Sequence, residues 1–241
     1  MEIEKGIEIF DLALFIREKK LLILSDVHIG YESELTRKGI FVPKFHFKEL
    51  VQRLGKIVLQ TQPETVIIMG DLKHEFGSIS DQEWRDIIRL FDFLSKTAKK
   101  IIVVKGNHDL ALGPITRKRN VELVDYYSLI VGKKKIYICH GDQVPRDINF
   151  IRADIIIMGH EHPAIMIRDS VRVEKFKCFL RGRWKRKTLL VLPSMNPITE
   201  GTDVGSEKLL SPFLQQDISN FEIFVVGVDI VLQFGKLKNL R

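Results

Sequence analysis

Five short apolar runs in this chain each break off at a small or polar residue and deliver aspartate, asparagine or histidine, and this repeated ending constrains the fold more than any other feature. Residues 21–24 lead into Ser25-Asp26-Val27-His28, residues 65–69 into Gly70-Asp71, and residues 101–104 into Lys105-Gly106-Asn107-His108-Asp109. Residues 136–139 run into His140-Gly141-Asp142, and residues 155–158 into Gly159-His160-Glu161-His162. A stretch of branched residues such as Ile101-Ile102-Val103-Val104 suits a strand buried on both faces, as in a parallel or mixed sheet held between layers. The ends of neighbouring strands share one edge of a sheet, and residues two apart, such as Asp26 with His28 or His160 with His162, point the same way. Any one of these residues could simply cap a turn. Together they read as metal ligands, because five of the seven histidines fall in these endings rather than scattering along the chain.

Between the runs the pattern alternates. From Pro43 the apolar positions Phe47, Leu50, Val51, Leu54, Ile57 and Val58 follow helical spacing and stop before Pro63, which predicts an amphipathic helix. Ser80 with Glu83 forms a capping box ahead of Trp84, Ile87, Ile88, Phe91 and Leu94 on one helical face. Early strands are expected over 7–16 and 21–25, and two short ones over 121–131 followed by a Gly-Lys-Lys-Lys turn. Further strands are expected over 163–168, 171–180, 187–192 and 221–234. A first half of strand, helix, strand, helix, strand and a second half rich in strands fits two packed sheets flanked by helices better than one doubly wound sheet.

Length and composition set limits. A chain of 241 residues with 45% hydrophobic and 29% charged residues is ordinary globular composition, and one domain is the expectation. No apolar run approaches the roughly 18 residues that a membrane helix needs. Glu2, Glu4 and Glu8 among the first apolar residues are unlike a signal peptide, so a cytoplasmic protein is expected. Cys139 and Cys178 are the only cysteines and both lie in strand-like runs, which leaves neither a disulfide framework nor a thiolate metal cluster. The net charge of +7 permits an anionic partner such as nucleic acid without requiring one.

The order Asp-x-His, Gly-Asp, Gly-Asn-His-Asp, His-Gly-Asp, Gly-His-x-His resembles the calcineurin-like metallophosphoesterase superfamily. The resemblance spans about residues 21–232 and implies an α/β (α+β) fold, a four-layered αββα sandwich of two mixed sheets, with a two-metal site. It implies that Asp26, His28, Asp71 and His162 hold one metal, and that Asp71 bridges to a second completed by Asn107, His140 and His160. His108 is then the catalytic imidazole, and Asp109 either orients it or caps the turn. Paired cations need a bridging carboxylate and activate water for in-line attack on phosphorus, while an imidazole beside them protonates the leaving oxygen or stabilises phosphoryl charge. Two divalent ions are expected, with Mn2+ implied by the nuclease branches and Fe, Zn or Mg compatible with the same donors.

Gly70-Asp71-Leu72-Lys73-His74-Glu75-Phe76-Gly77, Ser194-Met195-Asn196-Pro197 and Gly201-Thr202-Asp203 further resemble small SbcD-related archaeal phosphoesterases and ligase-associated DNA damage response endonucleases. That similarity implies a DNA repair nuclease acting on single-stranded or structured DNA; the sequence leaves a homo-oligomer open, and no segment for engaging an ATPase partner is evident in it. His74 is a candidate phosphate contact or an ordinary loop histidine, and His46 reads as structural. Arg181, Arg183, Trp184, Lys185 and Arg186 could track phosphates while the indole stacks on a base, or could form a solvated hairpin with Trp184 packed on the sheet. Arg117 is a second candidate for substrate approach. Hydrolysis of a small nucleotide or cyclic phosphodiester is the alternative activity, since a fold does not choose among them. A non-catalytic protein-binding scaffold ranks lower, because no ligand position is replaced.

Overall fold

The structure is a computed structural model and describes residues 1–40, 46–168 and 172–240. Its first sheet opens with an antiparallel meander of β1 (Glu2–Glu4), β2 (Ile7–Phe10), β3 (Ala13–Ile16) and β4 (Leu21–Ser25), and continues in parallel through β5 (Thr65–Met69), β6 (Lys100–Val104) and β7 (Glu122–Val124). Spatial order equals chain order in these seven strands, because each parallel step is bridged by helix. The connections hold α1 (Tyr31–Arg37), α2 (His46–Thr61), α3 (Asp81–Leu94) and α4 (Gly113–Lys118), as parallel pairing requires.

Among the described residues the second sheet has nine strands. It begins with the hairpin β8 (Tyr127–Val131) and β9 (Lys134–Ile138), and after the one-turn α5 (Ile148–Ile151) comes β10 (Ile155–Met158), parallel to β9. Then follow β11 (Pro163–Arg168), the long β12 (Val173–Trp184), β13 (Lys187–Val191), β14 (Thr202–Asp203), β15 (Glu222–Val226) and β16 (Val231–Lys236). β12 pairs antiparallel with β11, β13 and β15, while β13 runs parallel to β10.

Alternation along the second sheet decides which core each residue joins. Ile136 and Ile138, Ile155 and Ile157, and Phe179 face the first sheet, packing with Ile23, Ile67 and Ile102 in the inner core. Tyr137, Cys139, Ile156, Met158 and Cys178 face outward and pack under Phe213, Leu214 and Ile218. Both faces are covered, so these strands read as unbroken apolar runs. The helical layer over the first sheet is substantial, whereas the layer over the second consists of α5 and a largely irregular segment, 204–220.

Several local expectations need adjusting. The run 7–16 is a hairpin, β2 and β3, turned at Asp11 (φ 55°) and Leu12. A left-handed residue ends an extended run that hydrophobicity alone would continue. The two short strands expected over 121–131 belong to different sheets, and the chain crosses between them at Asp125 and Tyr126. The run 221–234 is the hairpin β15 and β16. The second helix is described over His46–Thr61; Pro43, where it was expected to open, and position 171 lie outside the described residues. The capping box of α3 is present, with Ser80 accepting from the Glu83 amide and Glu83 accepting from the Ser80 amide.

Candidate metal centre

Register brings the strand ends level. Ser25 pairs with Met69 and Met69 with Val104, so Asp26, Asp71 and Asn107 leave one edge of the first sheet together. Ile138 pairs with Ile157 in the second sheet, which sets His140 and His160 on the facing edge. The turns that follow are tight: Asp26, His28, Asp71, His160 and His162 all have positive φ, between 36° and 66°. Backbone strain of this kind, of order 1–3 kcal/mol per residue, persists where the surroundings over-determine it, and it gathers at functional sites.

The glycines of the motifs are there because two loops must touch. A Cβ on Gly106 would lie 2.1 Å from Asp71 Oδ1, one on Gly70 would lie 1.9 Å from His140 Nδ1, and one on Gly159 would lie 1.8 Å from Ser25 Oγ and 2.3 Å from Asp26 Oδ2. Each glycine thus makes room for a ligand-type side chain supplied by another segment or by the facing sheet.

Among the described residues the donors converge in three groups: Asp26, His28 and His162; Asp71, His140 and His160; and His28, His74 and His108, which shares His28 with the first. His28 Nε2 lies 3.3 Å from His162 Nε2, and His162 Nε2 lies 3.4 Å from Asp26 Oδ1. In the second group His140 Nε2 lies 3.0 Å from His160 Nδ1, 2.9 Å from Asn107 Oδ1 and 3.4 Å from Asp71 Oδ2. Asp71 Oδ2 also lies 3.8 Å from His28 Nε2 and 3.7 Å from His108 Nε2, which puts this carboxylate between the groups.

The residues fit divalent cations. Donors held about 2.1 Å from one ion sit roughly 3.0–3.4 Å apart in octahedral or tetrahedral geometry, close to the spacings here. Asp26 Oδ1 and His140 Nδ1 are buried with no hydrogen-bond partner among the described residues, a state that a buried polar atom rarely keeps. Burial, reinforced for His28 by neighbouring His162, holds the imidazoles of His28, His140 and His160 below their ordinary range, His140 at about 4. They are therefore neutral at pH 7 with lone pairs to offer. Burial opposes ionisation of Asp26, but His162, His140 and His28 together outweigh it and hold the carboxyl well below its usual range. Burial and the charge of Asp26 push Asp71 up to about 8, the signature of two carboxylates sharing one low-dielectric site.

His108 and His74 sit at the mouth of this cluster. His108 Nδ1 contacts the His74 carbonyl, which turns Nε2 toward Asp71. Burial lowers the His108 pKa. His74 is brought to the site as well: its ring lies 5.3 Å from that of His28 and 5.5 Å from that of His108, and its Nε2 contacts Glu34. Asp109 has a different task from orienting His108. It is fully buried, and its carboxylate accepts from the amides of Gly106, Leu72 and Lys73, tying the loop after β6 to the loop after β5.

Supports from distant sequence hold the candidate ligands in place. Ser194 Oγ donates to the Asp26 carbonyl at 2.6 Å, and Asn196 Nδ2 donates to the carbonyls of Val27 and His28. Lys177 fastens that segment to β12 by donating to the Ser194 and Asn196 carbonyls. Glu83 accepts from the amides of His74 and Glu75 besides capping α3. The Ser-Met-Asn-Pro string was the only sequence signal for the first of these supports, and nothing in it announced which loop it would clasp.

The basic candidates lie elsewhere. Thr188 pairs with Ile155 and Val191 with Met158, so the Trp184–Lys187 hairpin stands at the opposite end of β10 from His160. Arg181 is bonded to Glu4 and Glu222, and Trp184 packs 5.1 Å from Phe213 and 5.6 Å from Phe150 under Lys185. Arg183, Lys185 and Arg186 are exposed at that far end, and Arg117 is exposed on α4, which leads away from the site toward the start of β7. None of the six joins the metal-type cluster; for the hairpin residues the reason is that an antiparallel strand carries its turn to the edge opposite the parallel strand ends.

A sandwich of two mixed sheets with metal-type side chains at facing strand ends defines a metal-dependent phosphoesterase architecture. The family model for calcineurin-like phosphoesterases matches residues 19–217, and the chain belongs to that family of phosphoester hydrolases. Among solved structures, the nuclease MPE of Pseudomonas putida superposes with a TM-score of 0.63 at 19% identity, over 93% of this chain and 92% of that one. The Escherichia coli phosphoesterase Yfce gives a TM-score of 0.45 at 13% identity, over 92% and 94% of the two chains. No curated protein matches this sequence. Among the described residues no helix is long and apolar enough to cross a membrane.

Proposed function

We propose that this chain is a two-metal phosphodiesterase whose substrate is DNA in single-stranded or structured form. The observation that carries the two-metal reading is the position of Asp71, whose Oδ2 lies 3.4 Å from His140 Nε2 and 3.8 Å from His28 Nε2, between the two donor groups. Asp26, His28 and His162 would hold one ion with Asp71, and Asn107, His140 and His160 the other. Bound there, the pair supplies Lewis acidity and activates water as a nucleophile toward phosphorus. His108, with Nδ1 engaged by a backbone carbonyl, presents Nε2 to the reacting group. In its imidazolium form it donates to a phosphoryl or leaving oxygen, and an anionic substrate favours that form.

DNA as the substrate is supported by the net charge of +7 and by the fold shared with a nuclease. The resemblance to SbcD-related nucleases favours manganese. The placement of the basic hairpin at the far end keeps a small nucleotide or cyclic phosphodiester as the second reading. Metal-stripped protein reloaded with Mn2+, Mg2+ or Zn2+ and offered single-stranded DNA, duplex DNA and small phosphodiesters tests this. Manganese-dependent cleavage of single-stranded DNA is the expected result. Turnover confined to small esters would overturn the DNA assignment, and inertness toward all of them would overturn the phosphodiesterase reading.

A further inference from the structure

The loop after β5 carries an aromatic ring in an unusual position. Phe76 is 64% exposed, yet its ring centroid lies 3.6 Å from that of His108 with the planes tilted by 33°. One face of the phenyl ring therefore covers the imidazole and the other is open to water. Single exposed apolar side chains are ordinary on protein surfaces, but this one packs on His108 and follows an anchored stretch of backbone. Glu75, its neighbour, is bonded through its amide to Glu83, through its carbonyl to Lys73 and through its side chain to Arg37. A ring fixed beside the reacting group is a pre-organised surface, and fixing it beforehand lowers the entropy lost on binding.

We propose that Phe76 is the platform on which a nucleobase stacks when its phosphate lies at His108. The inference rests on the phosphodiesterase reading above and narrows it to nucleoside esters, because the open face of the ring offers apolar π surface and no hydrogen-bonding group. A base joined through its sugar to the scissile phosphate is the substituent such a face recognises, and stacking tolerates any base. Leu110, 81% exposed two residues after His108, adds apolar surface on the neighbouring loop.

The test is a double cycle. Manganese-loaded wild type, Phe76→Ala, Phe76→Leu and Phe76→Trp are assayed on a thymidine dinucleotide and on analogues in which one or the other base is replaced by hydrogen. Phe76→Ala and Phe76→Leu should raise KM for the intact dinucleotide roughly 5- to 150-fold, with a smaller effect on kcat. The penalty should vanish on one of the two abasic analogues, and Phe76→Trp should restore binding. An equal loss on intact and abasic substrates would show that Phe76 acts only by packing on His108, and an unchanged KM would show no role in binding. Either result overturns the inference while leaving the phosphodiesterase reading intact. A wild-type protein that cleaves none of these esters overturns both.

Discussion

Two polar clusters stand at opposite ends of the second sheet and are built in opposite ways. At the carboxyl ends of β9 and β10, polar side chains are buried, close to one another and short of partners, with Asp26 Oδ1 and His140 Nδ1 unbonded among the described residues. At the hairpin joining β12 to β13 the polar groups are paired or solvated. Arg181 is neutralised by Glu4 and Glu222, and Lys187 donates to the carbonyls of Ile151 and Ala153. The lesson is that charge density along the sequence is a poorer guide to function than unmet bonding capacity in space. A satisfied cation is part of the fold, whereas an unsatisfied buried donor set needs a ligand.

The largest expected effects fall at the first cluster. On the proposed two-metal reading, in which the Asp71 carboxylate bridges the donor groups, Asp71→Ala should remove both ions and lower kcat/KM by more than about 10⁴-fold. His108→Ala should lower kcat about 10²- to 10⁴-fold with metal content unchanged. Metal content by mass spectrometry separates the two, and an Asp71→Ala protein that keeps two equivalents would break the comparison. Next comes Gly159→Ala, whose Cβ would lie 1.8 Å from Ser25 Oγ. It should destabilise the protein by about 1–3 kcal/mol and weaken metal binding about tenfold or more, read by denaturation and metal titration.

At the hairpin the expected effects are small. Lys185→Ala combined with Arg186→Ala should change cleavage of single-stranded DNA by less than about threefold and leave its salt slope equal to that of wild type. A tenfold loss with a reduced salt slope would return the basic segment to the substrate path.

The smallest effect on turnover is expected at the support beneath the candidate ligands, where the readout is stability. Burial, with Arg53 nearby, pushes the Lys177 ammonium down to about 7, against about 10.4 in an unfolded chain. Between those values the unfolded chain binds more protons, so this residue makes stability rise with pH from about 7 toward 10 and fall as pH drops through 7. Lys177→Met should flatten that part of the stability profile, as denaturant unfolding at several pH values would reveal.

Much of this was legible in the residues. Apolar runs flanked by turns mark β4, β5, β6, β9 and β10 because strands buried on both faces have no polar positions to blur them. The capping box marks α3 because it satisfies donors within four residues. Asp109 was not legible as a clamp, since its partners Leu72 and Lys73 lie more than thirty residues away. Glu83 was read only as a cap, because its bonds to His74 and Glu75 depend on how the intervening loop folds back. Phe76 was one letter of a family-like string until its ring was seen against His108.

Local order along the chain determined the kinds of element, the ligand-type residues and the glycines beside them, since propensity, capping and turn chemistry act over a few positions. The tertiary structure alone decided that those residues meet, that Asp109 and Asn196 hold loops, and that the basic hairpin faces away. Each of these depends on strand register and sheet pairing between segments far apart in sequence, where no local pattern carries the information.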